Sequence, residues 1–227
     1  KGKYLAVVEG SIPVKDGGVY CCVGGKTALD IAKEVCGNAL ATINVGTCSS
    51  FGGLPAANPN PTGAVSTQEA VPGITVVNLP GCPVNVENLT ATVVHYLTFG
   101  SLPSMDSLNR PYFAYGKRIH DNCERRSHFD AGQFVRQWGD EGHRQGWCLY
   151  ELGCKGPEAF HNCPTVKYNE GTSWPVQAGH GCFGCASPNF WDTMTPIYKR
   201  LPKVPGFGVE STADKIGAGL AVATAAG

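Results

Sequence analysis

Three short runs of apolar and β-branched residues punctuate the first third of the chain. They are YLAVVEG (4–10), ATINVG (41–46) and ITVVNL (74–79), each closed by glycine or proline. Near-continuous apolar runs of this length predict strands buried on both faces. Between the first two, KTALDIAKEVCG (26–37) sets Ala28, Ile31, Ala32 and Val35 on one face, predicting a surface helix that ends at Gly37. VENLTATVVHYLTFG (86–100) has the same helical pattern after the third run. Strands interleaved with helices predict an α/β fold built on a mostly parallel sheet. Residues 111–200 read differently: Cys, His, Gly and Pro are dense and no periodic stretch persists. That texture predicts a region with no hydrophobic core of its own, organised around metals. The change falls near SLNRPYF (107–113), giving a first domain at 1–110, a second at 111–200 and a tail at 201–227.

Charge narrows the function classes. Eighteen Lys and Arg balance eighteen Asp and Glu over 227 residues, so no nucleic-acid footprint is expected. KGKYLAVVEG opens on charge and its apolar run is too short for a signal peptide, as expected of a mature chain. KIGAGLAVATAAG, at the other end, is small and apolar but shorter than the roughly 20 residues a membrane span needs. It reads as a tail or as the start of an anchor.

Eleven cysteines change the picture most. The number is odd, and a chain of this size buries a core without staples, so a disulfide framework is the weakest account beside zinc and iron–sulfur clusters. Cys48, in INVGTCSSFGG, and Cys82, in VVNLPGCP, both follow predicted strands. Ligands of open parallel sheets sit outside the carboxyl ends of the strands, so a shared ligand role is favoured over two buried structural thiols. Cys21, Cys22 and Cys36 have no partner at ligand spacing and are read as non-ligands. The second half offers His120 and Cys123, one helical turn apart, then Cys148, Cys154, Cys163, Cys182 and Cys185. His120, Cys123, Cys148 and Cys154 make one set of the four that a cubane or a tetrahedral zinc takes. Cys163, Cys182 and Cys185 remain, with His161 and His180 as candidate fourth ligands; three cysteines alone suit a 3Fe–4S cluster and leave zinc short.

The strings GTCSSFGG, NPNPTGA, LPGCP, SLNRP, HFDAG, GWCLYELGCKGP, NCP and AGHGCFGC with FWD occur in order between residues 4 and about 200. Together they resemble the small subunit of the nickel–iron hydrogenases. The resemblance implies a flavodoxin-like open-sheet domain followed by an irregular, cysteine-rich domain that binds iron–sulfur clusters. It implies a distal 4Fe–4S cluster on His120, Cys123, Cys148 and Cys154, and a medial 3Fe–4S cluster on Cys163, Cys182 and Cys185. Pro175 falls near where a fourth medial ligand would stand and cannot supply one. Cys48 and Cys82 match two ligands of a proximal 4Fe–4S cluster. The other two come, in the family, from an N-terminal C-x-x-C that this sequence does not contain; it is expected outside these residues or on a separate chain. Oxygen-tolerant members carry a cysteine where Gly53 stands, so an ordinary cubane is implied.

By the same resemblance the chain has no active site of its own. It would pass electrons from a nickel–iron centre in a partner large subunit to an external acceptor of cytochrome type. A periplasmic, membrane-associated location with anchoring through the C-terminus is implied. Lys117, Arg118, Arg125 and Arg126 flank the His120–Cys123 pair and are expected to form a docking surface for an acidic acceptor. Two rivals stand beside this reading: a zinc-binding structural or assembly module, and a quinone-reductase subunit built on the same first domain. The motifs at 120–185 argue against the second.

Overall fold

The computed structural model describes residues 2–201. Strands β1 (Leu5–Glu9), β2 (Ala41–Val45) and β3 (Val76–Leu79) form an all-parallel sheet in the order β1-β2-β3. Every residue of β2 and β3 is buried, in keeping with their near-continuous apolar runs, while the edge strand β1 leaves Val7 exposed. The fold class is therefore α/β, with the three strands where the apolar runs predict them. Two buried amides stitch the sheet to its surroundings. Asn44 Nδ2 donates to Asn78 Oδ1 at 2.8 Å, and Asn78 Nδ2 donates to the Leu108 carbonyl at 2.8 Å.

Helix α1 (Ala28–Asn38) begins two residues later than the pattern predicts. Lys26 and Thr27 pair with Cys22 and Val23 in a short hairpin, and Thr27 caps the helix by accepting from the Asp30 amide at 3.1 Å. The buried face is also rotated from the expected one. Leu29, Ala32 and Cys36 are inside, while Val35 is 40% exposed, so a leucine and a thiol displace the β-branched residues. Helix α2 (Thr47–Phe51) follows β2 directly, and α3 (Val86–Phe99) follows β3. The latter starts on an Asn85 side-chain cap and stops at Gly100, whose φ of 65° suits a residue without Cβ.

The sheet core of Ile43, Val45, Val77 and Leu79 is completed by Ala114, Tyr115 and Ala186 from beyond residue 110. Past that point, among the described residues, no helical element exceeds five residues and no strand forms beyond isolated bridges. The expectation that this region lacks a core does not hold. Ile119, Val135, Leu149, Ala159, Trp174 and Val176 form a buried apolar cluster that includes Cys163. Cys123, Cys154 and Cys182 pack against it. The tail from residue 202 lies outside the described residues.

Candidate functional site

Parallel strands end on one side, so the loops after β2 and β3 meet there. The Gly46 amide donates to the Leu79 carbonyl at 3.0 Å, and the Thr47 amide donates to the Gly81 carbonyl at 3.1 Å. Thr47 Oγ1 accepts from the Gly81 amide at 2.9 Å and donates to the Cys185 carbonyl at 2.5 Å. One hydroxyl thus ties the Cys48 helix, the Cys82 loop and Cys185 together. Burial raises the Cys48 pKa, and the charge of the nearby Cys82 adds to the shift.

His120 sits in the 3₁₀ turn Ile119–Asn122, with Cys123 immediately after it. That turn eclipses side chains three residues apart, which brings His120 and Cys123 to one side. Burial lowers the His120 pKa to about 4, with the Arg126 charge assisting, so its imidazole is neutral and carries a single ring proton at neutral pH. Its ring meets Phe129 edge to face at 4.5 Å, and Phe129 clusters with Cys148 and Tyr150. Burial first, with the Cys154 charge adding to it, pushes Cys123 up to about 11 and Cys148 up to about 12. His120, Cys123, Cys148 and Cys154 are thus brought into one neighbourhood. Gly156 lies between them, next to both Cys154 Sγ and the His120 backbone nitrogen.

Cys163, Cys182 and Cys185 line a cavity of about 430 Å³ together with Cys82, His161 and Pro175. Cys163 is pushed up to about 12, by burial first and then by the Cys185 charge. The two histidines weighed as fourth ligands part company here. His161 reaches Cys163 Sγ with Nδ1 at 3.0 Å, while its buried Nε2 has no partner among the described residues. His180 is absent from the cavity wall and stacks instead on Trp138 at 5.5 Å. The two thiol sets touch at one point, where the Cys182 amide donates to Cys154 Sγ at 3.2 Å.

Sequence reasoning missed three things and misread one. Thr47 as a hub, Lys155 as a buried cation and the apolar core under the thiols carry no signal in a single sequence. Arg125 is not a docking residue. It is 8% exposed, donating from Nε to the Val176 carbonyl at 3.0 Å and from Nη1 to the Trp147 carbonyl at 2.8 Å. Two adjacent arginines look alike in sequence, but Arg126 faces outward to Asp130 at 2.9 Å.

All eleven cysteines are free thiols. Among the described residues no three His, Cys, Asp or Glu side chains converge as ligands of a single ion. A cavity lined by four cysteines fits a polynuclear iron–sulfur group, whose irons are held by cysteine thiolates. Amide N–H groups aimed at sulfur add to the fit: Arg125 to Cys123 at 3.4 Å, and Gly184 to Cys182 at 3.3 Å.

An open parallel sheet with thiols beyond its strand ends, joined to a second, thiol-walled half, defines a redox-cofactor-binding α/β protein. Residues 115–198 match the C-terminal family of the NiFe/NiFeSe hydrogenase small subunit, and residues 1–96 match the family of the NADH ubiquinone oxidoreductase 20 Kd subunit. The chain is 51% identical to the quinone-reactive Ni/Fe-hydrogenase small chain of Wolinella succinogenes, covering 100% of this chain and 66% of that one. It is 56% identical to the hydrogenase-2 small chain of Escherichia coli, over 82% of this chain and 50% of that one. The Ni-Fe-Se hydrogenase of Desulfomicrobium baculatum superposes with a TM-score of 0.80 at 32% identity, covering 87% of this chain and 76% of that one. This chain belongs to the family of NiFe hydrogenase small subunits. It spans between half and two thirds of the length of these curated relatives.

Proposed function

We propose that this chain is the electron-conducting part of a nickel–iron hydrogenase, linking a hydrogen-activating centre in a partner large subunit to an external acceptor. His120, Cys123, Cys148 and Cys154 would hold the distal 4Fe–4S cluster, and Cys163, Cys182 and Cys185 the medial 3Fe–4S cluster. Cys48 and Cys82 would supply two ligands of the proximal 4Fe–4S cluster, the others coming from outside these residues. When bound, each cluster supplies a station that takes up and gives back one electron. The chain's own residues do the rest. The cysteines would hold iron as thiolates, their protons passing to solvent, and the apolar core beneath them would keep water out. The neutral imidazole of His120, replacing a thiolate, leaves less negative charge at its station and favours a higher potential.

The observation that carries this reading is the contact between the two thiol sets, where the Cys182 amide donates to the Cys154 sulfur, so that groups held by the two sets would be neighbours. The chain is read as two functional parts, 1–110 and 111–200, with the tail at 201–227 leading toward a membrane anchor. Among the described residues no helix is long and apolar enough to cross a membrane. A periplasmic, membrane-associated location and a cytochrome-type acceptor complete the proposal, with Lys117, Arg118 and Arg126 as the basic residues left to face that acceptor.

Low-temperature EPR of the air-oxidised heterodimer, with iron and acid-labile sulfide measured on the same sample, tests the assignment. A sharp signal near the free-electron g value, with iron and sulfide in near-equal amounts, is expected from an oxidised three-iron cluster. A silent spectrum with zinc in place of iron would overturn it.

A further inference from the structure

Three cations are buried among the described residues beside the candidate cluster ligands or the sheet: Arg110, Arg125 and Lys155. Arg110 has an anion, the Asp106 carboxylate, at 2.7 Å. The other two do not. Arg125 is held by the Val176 and Trp147 carbonyls, and Lys155, 2% exposed, donates from Nζ to the carbonyls of Pro196 and Ile197 at 3.1 and 3.3 Å. Glu158 is near enough to act on Lys155 electrostatically but makes no ion pair with it. No Asp or Glu is buried among the described residues.

A buried cation satisfied only by neutral carbonyls carries an unmet charge, and proteins keep such groups where an anion completes them. Beside Glu158, the charges that act on Lys155 are the Cys154 and Cys182 sulfurs, and Arg125 in turn acts on the Cys123 and Cys148 thiols. The Arg125 amide donates to Cys123 Sγ, and its Nη1 is tied to the residue that precedes Cys148. Lys155 follows Cys154, and its amide donates to the Cys182 carbonyl at 2.8 Å, so it stands at the junction of the two thiol sets. The positions are therefore not equivalent: Arg125 adjoins one set, and Lys155 adjoins both.

We infer that Arg125 and Lys155 are fixed counter-charges for the anionic groups these cysteines bind, Arg125 for the Cys123–Cys148–Cys154 side and Lys155 for both sides of the Cys154–Cys182 contact. The inference rests on the iron–sulfur reading above and adds positioning residues to it. Each one-electron reduction adds one negative charge beside these cations, so both residues raise the potential at which the electron is accepted. Lys155 does so at two adjacent stations together. Its ammonium also holds the segment 196–199 over the contact.

The test is an EPR-monitored redox titration of the holo heterodimer carrying Lys155→Met, Lys155→Arg or Arg125→Gln, with iron and sulfide quantified in each. Lys155→Met is expected to lower the midpoints of both the three-iron and the His120-side signals. Arg125→Gln is expected to lower the second more than the first, and Lys155→Arg to stay near the parent. If Lys155→Met arrives without clusters while Lys155→Arg is fully loaded, the loss follows the charge and supports the inference. Equal shifts in Lys155→Met and Lys155→Arg, unchanged midpoints at full iron content, or loss of clusters in both variants would overturn it. A parent complex with no iron–sulfur signal would instead sink the proposed function, so the two failures are told apart.

Discussion

At Gly53 the backbone takes a φ of 56°, and a Cβ there would meet Cys48 Sγ at 2.6 Å. Both facts demand glycine, one by conformation and one by space. Gly53→Ala should therefore destabilise the chain by about 1–3 kcal/mol and displace Cys48. Thermal unfolding together with iron content would read both effects; an unchanged melting temperature would mean the loop relaxes freely. Thr47 is the second single-residue test. Thr47→Val removes a donor and an acceptor at once and leaves the Gly81 amide without its partner, which should cost roughly 1–3 kcal/mol, whereas Thr47→Ser should keep most of the stability. Denaturant unfolding of both variants decides whether the hydroxyl or the methyl matters. That Cys123, Cys148 and Cys154 gather, and that Cys163, Cys182 and Cys185 share a cavity wall, was legible from the identity and spacing of the cysteines. Arg125 and Lys155 were not, because burial of a cation is decided by which loop folds over it.

Elements with a single strong period were readable and those fixed by tertiary contacts were not. The three strands and α3 stand where the apolar runs predict them, since strands buried on both faces need mostly apolar residues. Helix α1 is placed correctly but rotated, because Val35 and Cys36 are both apolar enough to be buried and only packing in the layer of Ile12, Ala70 and Val71 sets which face turns inward. The sequence marked 107–113 as a change of texture and SLNRP as a family string, but not the ion pair that fixes the loop 105–111. The loop is fixed by Asp106, whose carboxylate takes the Arg110 guanidinium through Nε at 2.8 Å and Nη2 at 2.7 Å, with both side chains largely buried. Asp106→Ala leaves that cation without its anion and should cost roughly 3–5 kcal/mol. Glu34→Ala, which breaks the solvent-exposed Lys26–Glu34 pair, should cost well under about 1 kcal/mol. Urea unfolding of the two variants side by side would show the contrast, and equal effects would refute the burial argument.

Across the whole molecule, the thiol sets are not appended to the sheet but packed through it. Tyr115 donates to the Pro80 carbonyl at 2.8 Å and Ala186 completes the sheet core, so the second half seals the strand ends that carry Cys48 and Cys82. Stability and cluster content should therefore be linked: stripping iron with a chelator is expected to lower the melting temperature of the complex cooperatively, not in one half alone. The most direct test of the central claim is an anomalous difference map collected at the iron edge from crystals of the heterodimer. The account predicts iron within the cavity walled by Cys163, Cys182 and Cys185, separate iron bounded by His120, Cys123, Cys148 and Cys154, and a third group against Cys48 and Cys82. Single zinc peaks at these cysteines, or iron at only one of the three positions, would contradict it.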